Sequence, residues 1–128
     1  MKASGTFEVH MKPETEKKSG TLTSGRYALT KEFTGQLVAA STVEMLAVGA
    51  DSGSGAYVAL ERIEGRLDGK EGAFFVTHRG FRTAASQSLE LTIVPGCSSG
   101  ALEGVTGSMT IRIEGQQHFY ELDYELTR

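Results

Sequence analysis

The chain has no asparagine, one cysteine, two prolines and no cluster of basic side chains. A single thiol excludes an internal disulfide, which agrees with a reducing compartment, and Cys97 reads as a small loop or buried thiol before it reads as a nucleophile. Without asparagine there is no N-glycosylation site, and turns fall to the 16 glycines. The 13 Lys and Arg stand in ones and twos and leave a net charge of -3, so no positive patch invites nucleic acid or an anionic membrane. No apolar run approaches the length of a spanning helix, and the opening MKASGTFEVHMK alternates polar and apolar residues and lacks the apolar run of a signal peptide. The expectation is a cytoplasmic protein. Helical periodicity is also scarce, and 128 residues suit one domain, 1–128, with one core.

What is present is alternation at period two, the signature of half-buried antiparallel strands. Phe7, Val9 and Met11 share one face of a first strand, which Pro13 is expected to end, and the charged ETEKKSGTLTSG reads as a solvated loop. Tyr27, Leu29 and Phe33 share a face in the next strand, with Lys31 interrupting its apolar parity. Leu37 to Val48 forms one long strand or two, Tyr57 to Leu67 another, and Asp68-Gly69 is the best hairpin signal before Ala73 to Arg79. Ser86 to Val94, Ser108 to Glu114 and Tyr120 to Leu126 alternate cleanly.

Pro95 to Gly107, PGCSSGALEGVTG, places glycines at 96, 100, 104 and 107. A helix there would lose about 1 kcal/mol per glycine against alanine, so this is a shaped loop entering a strand, with Leu102 a candidate plug. An apolar residue two before a glycine recurs at Phe33–Gly35, Ile63–Gly65, Leu102–Gly104 and Ile113–Gly115, a spacing suited to bends in a curved sheet.

About eight strands with short connections predict an all-β, eight-stranded antiparallel up-and-down barrel, because closure removes the edges. Acidic Glu121, Asp123 and Glu125 alternate with Tyr120, Leu122, Tyr124 and Leu126, which turns the apolar set inward, unlike a membrane barrel. Eight strands enclose packed side chains or one small ligand.

Val94-Pro95-Gly96 with Gly100-Ala-Leu102-Glu-Gly104-Val-Thr-Gly107, Phe33-Thr-Gly35-Gln-Leu37, Leu60-Glu61-Arg62, Phe75-Val-Thr-His78 and Tyr120-Glu-Leu-Asp123-Tyr124 resemble one bacterial family across nearly the whole chain, the domain of unknown function 3224 family. The resemblance implies a small eight-stranded barrel similar to allene oxide cyclases and dirigent proteins. It implies no established activity, and the cyclases' catalytic residues have no match here beyond the glycine segment.

Glu44, Glu61 and His78 lie on three consecutive predicted strands and converge if each points inward. Glu61 shares parity with Tyr57, Ile63 and Leu67, and His78 with Phe74 and Val76, yet Val58, Leu60 and Phe75 make the opposite faces apolar as well. Glu44 shares parity with Leu46 and Val48 but not with Val43 or Met45. Strands apolar on both faces fit coverage by a second copy, hence an expected homo-oligomer. An inward Glu and His pair suits an acid–base role near neutrality; each residue equally suits a satisfied polar contact. Tyr57 and Tyr124 are further candidates, as core aromatics whose hydroxyls reach a ligand. His10, His78 and His118 lack metal-ligand spacing, and no cofactor signature is present. The expectation is a lumen that binds a small apolar molecule, with an isomerase or cyclase-type enzyme and a filled structural module as the alternatives.

Overall fold

The computed structural model describes residues 1–126. Nearly every alternating stretch is one strand: β1 (Lys2–Ser19), β2 (Leu22–Gly35), β3 (Leu37–Ala50), β4 (Gly55–Leu67), β5 (Lys70–Arg82), β6 (Gln87–Ile93), β7 (Ser99–Gly100), β8 (Val105–Glu114) and β9 (Gln117–Leu126). Neighbours run antiparallel in the order β4-β3-β2-β1-β9-β8-β6-β5, and β4 pairs with β5 to close the barrel at eight strands. The two-residue β7 lies outside that count and pairs with Gly72 and Ala73 at the start of β5. Among the described residues no helix is long and apolar enough to cross a membrane.

Two expectations need correction at the first hairpin. Pro13 does not end β1, and the segment after it is not a loop: β1 continues to Ser19 and pairs back onto β2 as far as Ser19 opposite Leu22. The chain accommodates the missing N–H with a register shift between Pro13 and Thr15, a bulge where one residue goes unpaired. Exposure of nearly every side chain from Lys12 to Leu22 explains why the polar composition resembles a loop. At the other hairpin Asp68 and Gly69 both have positive φ, 50° and 82°, as a two-residue primed turn requires, so Leu67 faces Lys70 directly.

The recurrent apolar-x-Gly spacing is also not one structural device. Gly35 ends β2 at φ 107°, Gly65 lies within β4, and Gly104 and Gly115 sit in turns before β8 and β9. Gly65 does permit a close approach, since a Cβ there would fall 2.3 Å from the carbonyl oxygen of Val38 on β3. Gly104 at φ 89° adopts a conformation costly for a branched side chain. Gly104→Val is therefore expected to lower stability by about 1–3 kcal/mol, seen as a lower melting temperature; an unchanged value contradicts the assignment.

The barrel is closed at one end and open at the other. At the closed end Ala3, Leu37, Leu67, Leu102, Val105 and Tyr124 are all buried, with Leu102 from the glycine loop 1% exposed. Tyr120 secures that end by accepting a hydrogen bond from the Leu37 amide and donating to the Thr34 carbonyl, both at 2.9 Å. Along the inward faces exposure then rises toward the other end: from Phe7 at 6% to Met11 at 57% on β1, from Leu91 at 2% to Leu89 at 40% on β6, and from Met109 at 3% to Ile113 at 61% on β8. This gradient defines an open mouth.

Candidate functional site

Four polar side chains are buried in the barrel, Lys31, Ser41, Glu61 and His78, and they come from four adjacent strands. Strand parity places them. Lys31 shares the inward face of β2 with Phe33, Ser41 that of β3 with Leu37 and Val43, Glu61 that of β4 with Ile63, and His78 that of β5 with Phe74 and Val76. Register then aligns them, because Lys31 pairs with Ser41, Val43 with Glu61 and Ala59 with His78.

Glu61 is the centre. Its Oε1 accepts from His78 Nε2 at 2.7 Å and from Lys31 Nζ at 3.2 Å, while Ser41 Oγ donates to Oε2 at 2.6 Å. Burial pushes the carboxyl's pKa upward, but the His78 hydrogen bond, the Lys31 charge and the Ser41 hydrogen bond together hold it below the usual carboxylate range. Glu61 is thus ionised at neutral pH, with Lys31 as its counter-charge. The Lys31 ammonium also lies 4.9 Å from the Phe7 ring centroid and 5.9 Å from that of Phe33, so its second side is covered by aromatic faces.

An ionised Glu61 fixes the histidine tautomer. The proton on Nε2 points to the carboxylate, and in neutral His78 the Nδ1 lone pair faces the mouth. There it meets Tyr57, whose hydroxyl lies 3.5 Å away, at the outer limit of a hydrogen bond. Burial, and then the Glu61 charge, raises the Tyr57 pKa and keeps the phenol protonated. A Cβ on Gly80, opposite Tyr57 in register, would fall 2.5 Å from the ring, so this glycine lets the tyrosine lie flat across β5. Above it opens a cavity of about 260 Å³ whose lining includes Met45, Ala47, Tyr57, Gly80, Arg82 and Leu89. Tyr57 thus lines the mouth cavity and meets the buried cluster beneath it.

Of the residues singled out from sequence, Glu61, His78 and Tyr57 come together. Glu44 does not: it faces outward and is exposed, because the inward set of β3 is Leu37, Ser41 and Val43. Tyr124 points inward but at the closed end, where its hydroxyl donates to Asp68 Oδ2. Burial and that carboxylate push its pKa up to about 12, and it serves the plugged end. Lys31 and Ser41 escaped the sequence reading, although the parity that made Lys31 an interruption in an apolar face is the signal that it points inward. Among the described residues no group of three or more His, Cys, Asp or Glu is placed to hold a metal ion.

No curated relative matches the chain. It is similar to the crystal structure of a protein of unknown function from Shewanella oneidensis MR-1, assigned to the same family that the glycine segment resembles. The identity is 39%, the TM-score 0.93, and the match covers 100% of this chain and 98% of that one. The profile of the protein of unknown function family DUF3224 matches residues 3–124, and the chain belongs to that family.

Proposed function

We propose that the barrel binds one small, largely apolar molecule in its open mouth, with Tyr57 as the polar contact and His78–Glu61–Lys31 as the buried charge system that orients it. The observation that carries this reading is Tyr57 itself, which lines the cavity with its ring and reaches His78 Nδ1 with its hydroxyl. Of the other walls, Met45, Ala47, Gly80 and Leu89 supply apolar contact from within, Val48, Ala56 and Phe81 supply it at the outer edge, and Arg82 at the rim suits a ligand with one acidic group. A suitable probe is 1-anilinonaphthalene-8-sulfonate, which pairs fused and single aromatic rings with one anion. Ala47→Phe, which fills the mouth, is expected to abolish saturable fluorescence enhancement. Tyr57→Phe is expected to weaken binding about tenfold, the equivalent of one hydrogen bond. Full affinity in Ala47→Phe overturns the reading.

A second reading is supported by the connection Tyr57–His78–Glu61. Such a chain can pass a proton: the phenol gives up its proton to His78 Nδ1 as it takes one from a ligand, and Glu61 stabilises the imidazolium that forms. That is acid–base chemistry of the isomerase or cyclase kind. It predicts exchange of the α-protons of a small cyclic ketone with deuterated solvent, accelerated by the protein and lost in His78→Gln; an equal rate in the variant leaves the barrel a binder alone.

A further inference from the structure

We infer that the outer face of β3, β4 and β5 is where this chain associates with a second copy of itself. Elsewhere the outward positions are those of a solvated strand, such as Ser4 and Glu8 on β1, Thr110 on β8, and Glu121, Asp123 and Glu125 on β9. Toward the open end of β3 to β5 they are Leu46, Val48, Val58, Leu60 and Phe81, exposed at 54, 43, 53, 49 and 48%, with Val48 and Phe81 also edging the mouth cavity. Toward the closed end the face turns polar with Thr42, Arg62, Glu64, Arg66 and Glu71. Register makes them one patch, because Leu46 pairs with Val58, and Val48 with Ala56, which pairs with Phe81. Together they offer roughly 500 Å² of apolar surface, near the upper range for a monomer's largest patch. Two such faces meeting bury about 1,000 Å² before any rim is counted, the threshold for a specific interface.

Charge selects a second copy as the occupant. Glu44 on β3 and Arg79 on β5 border the patch on opposite sides of β4. Among the described residues the exposed ion pairs are Lys2–Glu121, Arg62–Glu64, Arg66–Glu71 and Arg112–Glu114, none of which takes up Glu44 or Arg79, and the two on β4 and β5 lie on the same outer face toward the closed end. The Arg79 guanidinium lies over the Phe81 ring, 5.0 Å from its centroid, at the edge of the patch. Arg26 on β2, beside Leu46, and Glu90 on β6, beside Arg79, extend this border. A face carrying both acids and bases around an apolar centre is complementary to itself, whereas a nucleic acid or an anionic membrane requires charge of one sign. A closed arrangement of identical chains also covers the patch completely.

Native mass spectrometry and sedimentation velocity of the full chain are expected to give a multiple of the 13.7 kDa chain mass. Val58→Glu places a charge at the centre of the face and is expected to weaken association about a hundredfold while leaving circular dichroism unchanged. If that variant misfolds, Leu46→Lys, also outward and exposed, makes the same test. Glu44→Arg is expected to weaken association about tenfold, and adding Arg79→Glu to restore it. A monomer at 100 µM, or an oligomer that survives a folded Val58→Glu or Leu46→Lys, overturns the inference.

Discussion

Glu61→Gln is expected to destabilise the barrel by about 3–5 kcal/mol in urea unfolding at pH 7, the range for breaking one side of a buried ion pair. The amide keeps the shape of the side chain and its capacity to accept from Ser41, so lost packing contributes little. What changes is Lys31, whose side chain is 5% exposed and whose carboxylate partner among the described residues is Glu61. The variant leaves a buried ammonium facing two aromatic rings and a neutral amide. Replacing both partners, as in Lys31→Met with Glu61→Leu, should recover most of the loss, because no charge then remains inside. Failure of the double variant to recover stability would place the cost in the His78 and Ser41 donors that it leaves without an acceptor, and not in the unpaired ammonium. The same carboxylate gives a pH dependence with a definite sign. Its pKa is lower folded than unfolded, so its contribution is fully present above the unfolded value and is lost as pH falls through the lower, folded one. Unfolding midpoints should therefore decline through the acid range in wild type and decline less in Glu61→Gln.

Leu102→Ala is expected to cost about 2–5 kcal/mol, the usual range for truncating a fully buried leucine that leaves a cavity. Leu102 is 1% exposed and sits among Leu37, Leu67, Val105 and Tyr124, where the glycine loop folds back over the closed end. The loop is held by backbone bonds from the Ala101 amide to the Glu71 carbonyl and from the Val105 amide to the Leu102 carbonyl, so it has little freedom to collapse into the gap. Thermal unfolding reads the effect. The mouth lies at the other end, and the binding of the probe by folded protein should be unaffected.

The barrel was legible because its signals are local. Period-two alternation names the inward residues without any knowledge of their partners, and Asp68-Gly69 fixes one hairpin through a turn that demands positive φ at two successive positions. Where the sequence misled, composition had stood in for geometry. Polar residues in 14–25 suggested a loop, yet the exposed end of a sheet in which β1 pairs with β2 and β2 with β3 needs no apolar face there, and a bulge absorbs the proline. The site was legible in part for the same reason. Glu61 falls in phase with Tyr57, Ile63 and Leu67, and the register keeps that phase through Gly65, so no bulge reverses it. Glu44 could not be assigned because β3 is apolar on both faces, inward as core and outward as Leu46 and Val48. Lys31 was hidden by the rule that lysine faces water, which fails once a buried carboxylate on the strand next but one supplies its partner.

The central claim is that the mouth above Tyr57, and not the outer apolar face, is the binding site. Titration of the isotopically labelled chain with 1-anilinonaphthalene-8-sulfonate, followed by amide, methyl and imidazole resonances, tests it most directly. The account predicts saturating shifts at Met45, Ala47, Gly80 and Leu89 and at the His78 ring, with Leu67, Leu102 and Tyr124 at the closed end unmoved. Shifts confined to Leu46, Val58 and Leu60 on the outside, with the mouth silent, would contradict it.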